Sequence, residues 1–494
     1  MASQHPDHAS VPYWHHSEFI GAQDEAKECF LSFSDLGISE YKWDWEGKLV
    51  DESILERLLG EHLDFFQKHP LGLDKFLTFR LPNSNTETEF RMSRAMMGIL
   101  SAAGMAKQVG LHCPPIFEVI LPMVKTAEEM IDAEEAFEEL TNLKHPLFKL
   151  KNCAPHHLEI IPLFENTDVI INSDKIIKKY LELHKTKFKK TPNYIRPYIA
   201  RSDPALNSGI VPTVIAIKIA LAKYKKCAEE NNIDLYPILG AASLPFRGGL
   251  TPYNTESFIR EYAGIKTVLL QSAFRYDFPK EEVIKSIKIF EDKLQSSQAA
   301  AMEEPEEKKL IELIKTFENF YKPTIESVAD FISNIAQSIP KRRERVQHVG
   351  IFGYSRAVGS VKLPRAIGFT AAFYSLGVPP EIIGTGRGIA AAKINGSLPL
   401  IEQYYLNLKD DLARAGRFVN KKNLQKLAAE NNAWNDVLAD VVAVEDYLQI
   451  ELTPISDEEK QHQTLTEQIL NQLEKNEPII GLVQSAGVLR KSLG

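Results

Sequence analysis

Short apolar or β-branched runs recur along the chain, with helical periodicity filling the gaps between them. The runs are Tyr41–Glu46, Phe76–Arg80, Phe117–Met123, Leu158–Glu165, Tyr194–Asp203, Leu235–Ser243, Thr267–Phe274 and Val346–Tyr354. Each is bounded by turn residues, the pattern of parallel strands buried on both faces. Between the first two, Asp51–Lys68 places Ile54, Leu55, Leu58, Leu59, Leu63 and Phe66 on one helical stripe. Glu87–Val109, Thr126–Leu143, Ser173–Lys189 and Ser208–Asn231 repeat that period, several with Ser, Thr or Asp near the start.

Successive strand starts differ by 35, 41, 41, 36, 41, 32 and 79 residues. Eight strands alternating with helices predict an α/β protein of the (β/α)8 TIM-barrel class, and all the spacings but the last suit one βα unit. An open doubly wound sheet stays the alternative, because a strand count does not establish closure. The long last gap predicts a helical insertion near residues 277–345, with the acidic, low-complexity stretch Gln295–Lys308 as a mobile tip. Lys341–Arg345 (KRRER) reads as a solvated charged face. Beyond Pro364 the pattern is helical, so residues 364–494 are expected to pack on a barrel spanning 41–363, with the tail Gly481–Gly494 folding back.

Composition narrows the class. A chain of 494 residues with net charge −8 gives no reason to expect a nucleic-acid partner. No apolar run approaches the roughly 20 residues needed to span a bilayer. The first ten residues, MASQHPDHAS, have no signal-peptide core. Cys29, Cys113, Cys153 and Cys227 lie far apart without a CxxC, so neither a disulfide framework nor a zinc site is suggested. The expectation is a cytoplasmic protein with no membrane partner. Residues 1–40 are polar and carry His5, His8, His15 and His16, which on composition is a loosely held terminus.

Candidate chemistry sits where the apolar runs end. Tyr194–Gly209 begins as a strand, turns to Arg201-Ser202-Asp203, and continues as a helix started by Pro204. Barrel enzymes carry their reactive groups on such strand-to-helix loops. Across the chain these ends hold Asp44, Glu46, Arg80, Glu165, Arg201, Asp203, Arg247, Arg356 and, just beyond, Arg365; the third and seventh strands end blandly. Glu165 and Asp203 are hard oxygen ligands suited to Mg²⁺ or Mn²⁺. Arg80, Arg247, Arg356 and Arg365 suit a phosphorylated, carboxylated anion. Gly248 and Gly249 would let backbone amides approach that anion. Each residue taken singly has an ordinary structural explanation, such as a helix cap at Asp203; their recurrence at one predicted rim is the argument.

At these residues the sequence resembles phosphoenolpyruvate carboxylase of the short, archaeal-type lineage. The matching segments are SQHPD at 3–7, KWDWEGK at 42–48, LTFRLPN at 77–83, ARSDPAL at 200–206, GYSR at 353–356 and LPRAIGF at 363–369, and the match spans nearly the whole chain. The larger form of that family is similar only in islands. Its histidine of HGRGG is Pro245 here, its lysine of YSDSAKDAG is Leu206, and a second loop arginine is missing after Gly249.

The resemblance implies Glu165 and Asp203 as ligands for Mg²⁺, with Mn²⁺ as the alternative. It implies catalytic His5, Arg247, Arg356 and Arg365, with Arg80, Arg201, Gly248 and Gly249 in substrate binding. It implies phosphoenolpyruvate and bicarbonate as substrates, oxaloacetate and phosphate as products, and a homo-oligomer, either a homotetramer or a dimer of dimers. Feedback inhibition like that of the larger form is not expected, since the loop involved differs. Two other readings of the residues stand beside it: a metal-enolate barrel lyase or aldolase of the pyruvate or citrate-lyase type, and a catalytically silent barrel that binds phosphoenolpyruvate.

Overall fold

Eight short strands pair in parallel and close into a ring: β1 (Ala2–Ser3), β2 (Glu40–Asp44), β3 (Phe76–Arg80), β4 (Glu118–Leu121), β5 (Glu159–Phe164), β6 (Tyr198–Ile199), β7 (Ile238–Ala241) and β8 (Thr267–Leu270). The computed structural model describes residues 1–46, 48, 50–83, 87, 90–143, 155, 157–344, 356–358 and 361–494. Helices Ile54–Lys68, Arg91–Gln108, Ala127–Thr141, Ser173–Phe188 and Ile210–Asn231 surround the ring where the periodicity puts them. The barrel is therefore closed, and the open-sheet alternative falls.

One strand differs from expectation. Ala2 pairs with Leu270 on one side and with Tyr41 on the other, so β1 seals the ring between β8 and β2. The expected eighth strand, Val346–Tyr354, lies outside the described residues, and the ring is complete without it. The polar, His-rich terminus is thus part of the barrel wall. A two-residue strand has too few positions to show a period of two, which is why its sequence reads as a loose end.

Alternation sorts the strand side chains between two cores. Tyr41, Trp43, Leu77, Phe79, Ile160 and Phe164 face the shell beneath the helices. Ile120, Ile161, Leu163, Tyr198, Ile238 and Leu269 form a separate cluster inside the ring. At the N-terminal ends of the strands this inner cluster is closed by charge: Arg196 reaches Glu40 at 2.7 Å and also pairs with Glu118. At the C-terminal ends it opens into the cavity described below.

Other expectations also change. The acidic stretch is not a mobile tip. Gln295 and Ser297 offer their carbonyls to Lys266 Nζ, both at 2.7 Å, and Glu304 opens a 33-residue helix, Glu304–Ala336. Cys113 is disulfide-bonded, while Cys29 and Cys227 are free and buried; spacing along a sequence does not report approach in space. The C-terminal tail folds back as expected: the Leu493 amide donates to the Asp7 carbonyl at 2.7 Å. Among the described residues no helix is long and apolar enough to cross a membrane.

Candidate active site

On five of the eight strands the inward row carries a polar side chain at or just past the C-terminal end. In β1 the inward position beyond Ser3 is His5; in β2 it is Asp44, followed by Glu46; in β3 it is Arg80; past β5 it is Glu165; past β8 it is Gln271. Asp203 follows β6 on the short helix Ser202–Ser208, and Arg247 follows β7 in the turn Pro245–Arg247. All eight side chains line one cavity of about 370 Å³ at the C-terminal mouth of the ring. Gly240 keeps the floor open, since a Cβ there would come within 3.1 Å of the Tyr198 hydroxyl.

Arg80 is fixed between carboxylates. Its Nε donates to Asp44 Oδ1 at 2.7 Å and its Nη1 pairs with Glu46. Burial works against this guanidinium, but Asp44, Glu46 and Glu165 outweigh it and hold its pKa above the ordinary arginine value. Lys42 Nζ lies 3.1 Å from Asp44 Oδ1, and burial together with the Arg80 charge pushes it down to about 8. His5 sits beside this group with Nδ1 3.1 Å from Ser3 Oγ. Burial, and then the Lys42 cation, push its pKa well below the usual histidine value, so the imidazole is neutral.

Glu165 and Asp203 come from neighbouring strands, with Leu163 opposite Tyr198 and Phe164 opposite Ile199 in register. Both carboxylates act on the Tyr198 hydroxyl, whose pKa is pushed up by burial and then by Asp44, Glu165 and Asp203. Two hard oxygen donors side by side on a cavity wall fit Mg²⁺, which takes one or two protein carboxylates and fills its other positions with water and substrate oxygens.

The arginines divide. Arg247 Nε donates to Ser202 Oγ at 3.2 Å, Nη2 to Gln271 at 2.6 Å, and Nη1 to Asp7 at 3.4 Å and to the Gly494 carbonyl. Arg365 lines the cavity at the start of helix Ala366–Ser375. Arg201 borders the cavity while its donors hold the turn: it donates to the Tyr262 hydroxyl and to the carbonyls of Phe246 and Pro245. Arg356 begins the strand Arg356–Val358, antiparallel to Val361–Leu363, and its side chain lies outside the described residues.

Gly248 and Gly249 are not brought to the cavity. Their φ of +128° and +71° explains the glycines, but their amides donate to Pro245 and Leu244 within the turn. They shape the loop that carries Arg247.

A family model described as phosphoenolpyruvate carboxylase matches residues 1–494. The phosphoenolpyruvate carboxylase of Leuconostoc mesenteroides is 38% identical over 498 residues, covering 100% of this chain and 98% of that protein. The protein of the same name from Pyrococcus horikoshii is 37% identical over 437 residues, covering 86% of this chain and 89% of its own. That from Metallosphaera sedula is 35% identical over 512 residues, covering 100% and 99%. The chain belongs to the phosphoenolpyruvate carboxylase family.

In this member of the phosphoenolpyruvate carboxylase family, several residues in or behind the cavity wall escaped the sequence reading. Asp7 accepts from Arg247 and from the Ala273 amide at 2.8 Å, tying the first loop to the loop after β8. Gln271 ends a strand that reads as bland, although a polar residue directly after three apolar ones was a usable signal. Arg342 and Arg343 were expected in a solvated charged face. They are buried, with Arg343 paired to Glu28 at 2.6 Å and Arg342 donating to the His8 carbonyl at 2.8 Å. Lys341 beside them reaches the cavity rim. The partners come from more than three hundred residues away, so a local charge count misjudges them.

Proposed function

We propose that the chain joins phosphoenolpyruvate and bicarbonate to give oxaloacetate and phosphate. The observation that carries this reading is the convergence of His5, Glu165, Asp203 and the cavity arginines on one mouth, in a chain belonging to this family. Glu165 and Asp203 would hold Mg²⁺, with Mn²⁺ the near substitute, which when bound supplies positive charge to oxygens that become more negative during phosphoryl transfer.

A bicarbonate oxygen attacks the phosphorus, and the bond from phosphorus to the enol oxygen breaks, leaving carboxyphosphate and the enolate of pyruvate. Arg247, Arg356 and Arg365 bind the phosphoryl oxygens, with Arg80 assisting from its fixed position. Four of the five Arg247 donors are engaged by described residues, two of them by the neutral oxygens of Ser202 and Gln271. An anionic phosphoryl oxygen is the stronger acceptor and would replace one of them. Arg201, Gly248 and Gly249 serve the substrate at one remove, by setting the turn. His5, held neutral, takes the proton of carboxyphosphate. Carboxyphosphate then parts into CO₂ and phosphate, and the enolate carbon forms its new bond to CO₂. Enclosure by Leu493 and the Lys341 segment keeps water from protonating the enolate first.

The same reading extends to a homotetramer or dimer of dimers in the cytoplasm, organised as a segment 1–40, a barrel 41–363 and helices 364–494. Ile394 and Val442, both strongly exposed on helices that pack side by side, support self-association. The deciding assay couples oxaloacetate to malate dehydrogenase, with and without bicarbonate and Mg²⁺, and counts phosphate in the same tube. Equal, bicarbonate-dependent yields are expected. Pyruvate formation without phosphate would point to a lyase or aldolase, and binding without turnover to a silent barrel.

A further inference from the structure

At the opposite end of the barrel from the cavity, three side chains converge that the proposed chemistry does not use. Glu134 comes from helix Ala127–Thr141, His184 from helix Ser173–Phe188, and His157 from the residues leading into β5. One ligand atom from each lies within 4.8 Å of the others. Glu134 Oε2 is 3.6 Å from His184 Nε2, and Glu134 Oε1 is 3.9 Å from His157 Nε2.

The outer contacts fix which atoms face inward. His184 Nδ1 is 2.7 Å from the Lys190 carbonyl. A carbonyl oxygen only accepts, so the ring proton sits on Nδ1 and Nε2 presents a lone pair. The Tyr180 hydroxyl donates to Glu134 Oε1, which orients the carboxylate and leaves Oε2 towards the histidine. That lone pair faces the carboxyl oxygen across 3.6 Å, too far for a direct hydrogen bond even though burial pushes the Glu134 carboxyl up to about 8, and a metal ion would take the place of its proton. Both side chains are fully buried, and among the described residues neither Oε2 nor Nε2 has a hydrogen-bond partner. Buried polar atoms are rarely left unmet, and a cation between them meets both.

We propose that Glu134, His157 and His184 form a structural site for a divalent transition-metal ion, zinc above all. Two imidazole nitrogens and one carboxylate oxygen suit zinc, whereas Mg²⁺ favours all-oxygen surroundings. A tetrahedral centre with bonds of about 2.0–2.1 Å spaces its ligands roughly 3.4 Å apart, so small side-chain rotations close the present separations. The carbonyl behind His184 is the outer partner that metal-bound histidines generally have. His157 borders a groove lined also by Glu135, Glu138 and Glu139, with Lys187 and Lys190 opposite. The groove gives an ion a way in and a water the remaining position. The ion would pin two helices to the start of β5, the strand whose far end delivers Glu165.

The test uses the full-length protein, stripped with chelator, reloaded with zinc in a large excess of Mg²⁺, desalted, and analysed by elemental mass spectrometry. Stoichiometric zinc is expected in the wild type and in Glu165→Gln, and its loss in His157→Gln, the least buried of the three ligands. Zinc should raise the thermal midpoint of the wild type by several degrees and leave that of His157→Gln unmoved. Cobalt in place of zinc should give the strong visible absorption of a tetrahedral centre, absent in His184→Gln. Equal zinc in wild type and His157→Gln, or no retained zinc in the wild type, would overturn the proposal. Circular dichroism separates loss of ligand from loss of fold.

Discussion

Arg201 donates from Nη1 to the Phe246 carbonyl at 3.0 Å, across 45 residues of sequence. Together with its bonds to Pro245 and Tyr262, this makes the guanidinium a brace for the turn that ends in Arg247. Lysine keeps the charge but not the fork of donors. Leaving buried carbonyls unmet costs about 1–3 kcal/mol. Arg201→Lys is therefore expected to lower kcat/KM by roughly tenfold to a hundredfold and to reduce thermal stability with it. Kinetics and a melting curve on the same preparation check this, and wild-type values in both would show that the turn stands without the brace.

Glu165 and Asp203 offer a stricter test. Glu165→Gln and Asp203→Asn keep shape and remove one ligand charge each, so both should abolish turnover at ordinary Mg²⁺ while far-ultraviolet dichroism stays that of the folded protein. The measurement is activity across a Mg²⁺ titration. Near-normal rates with unchanged metal dependence would place the ion elsewhere.

His5 separates two halves of the chemistry. Phosphoryl transfer calls on the metal and the arginines, whereas CO₂ capture calls on a base beside the enolate. His5→Asn should still release some phosphate in a bicarbonate-dependent reaction, but yield pyruvate in place of oxaloacetate. Phosphate, pyruvate and oxaloacetate counted together decide it; one oxaloacetate per phosphate at the wild-type rate would remove His5 from the reaction.

His8, three positions past the proposed base His5, predicts a pH effect on stability instead. Its ring nitrogens lie 2.9 Å from Ser272 Oγ and 2.8 Å from the Glu18 carbonyl, and burial pushes its pKa down to about 3. The folded value is below the unfolded value of about 6.5, so the unfolded chain takes the proton first. The contribution is full above pH of about 6.5 and is lost as pH falls towards 3. Between pH of about 7.5 and about 5 the stability gap between wild type and His8→Gln should close by about 2 kcal/mol. Denaturation midpoints at both pH values measure it, and a constant gap would contradict the assignment.

How much of this the sequence revealed follows from how local each signal is. Glu165 and Asp203 were readable because an apolar run stops at each of them, or just before. Arg201 was visible for the same reason, but not its direction, which Tyr262 and the Pro245–Arg247 turn impose from elsewhere. Gly248 and Gly249 were read as bringing backbone amides to an anion, yet which partner those amides choose is a three-dimensional matter. Ala2–Ser3 was unreadable, because a strand this short is defined by the two strands it lies between. Glu134, His157 and His184 were equally hidden, since three separate elements bring them together.

The place of β1 sets the order in which the protein can be made. Ser3 lies beside Leu270, 267 residues later, so the first strand off the ribosome waits for the last one before the ring can close. Until then β2 and β8 present bare edges, the exposure that favours aggregation and chaperone capture. Contacts this distant in sequence also form slowly. The event that seals the barrel is the same one that carries His5 to the cavity, so a nascent chain halted before β8 emerges is left both unsealed and without its histidine.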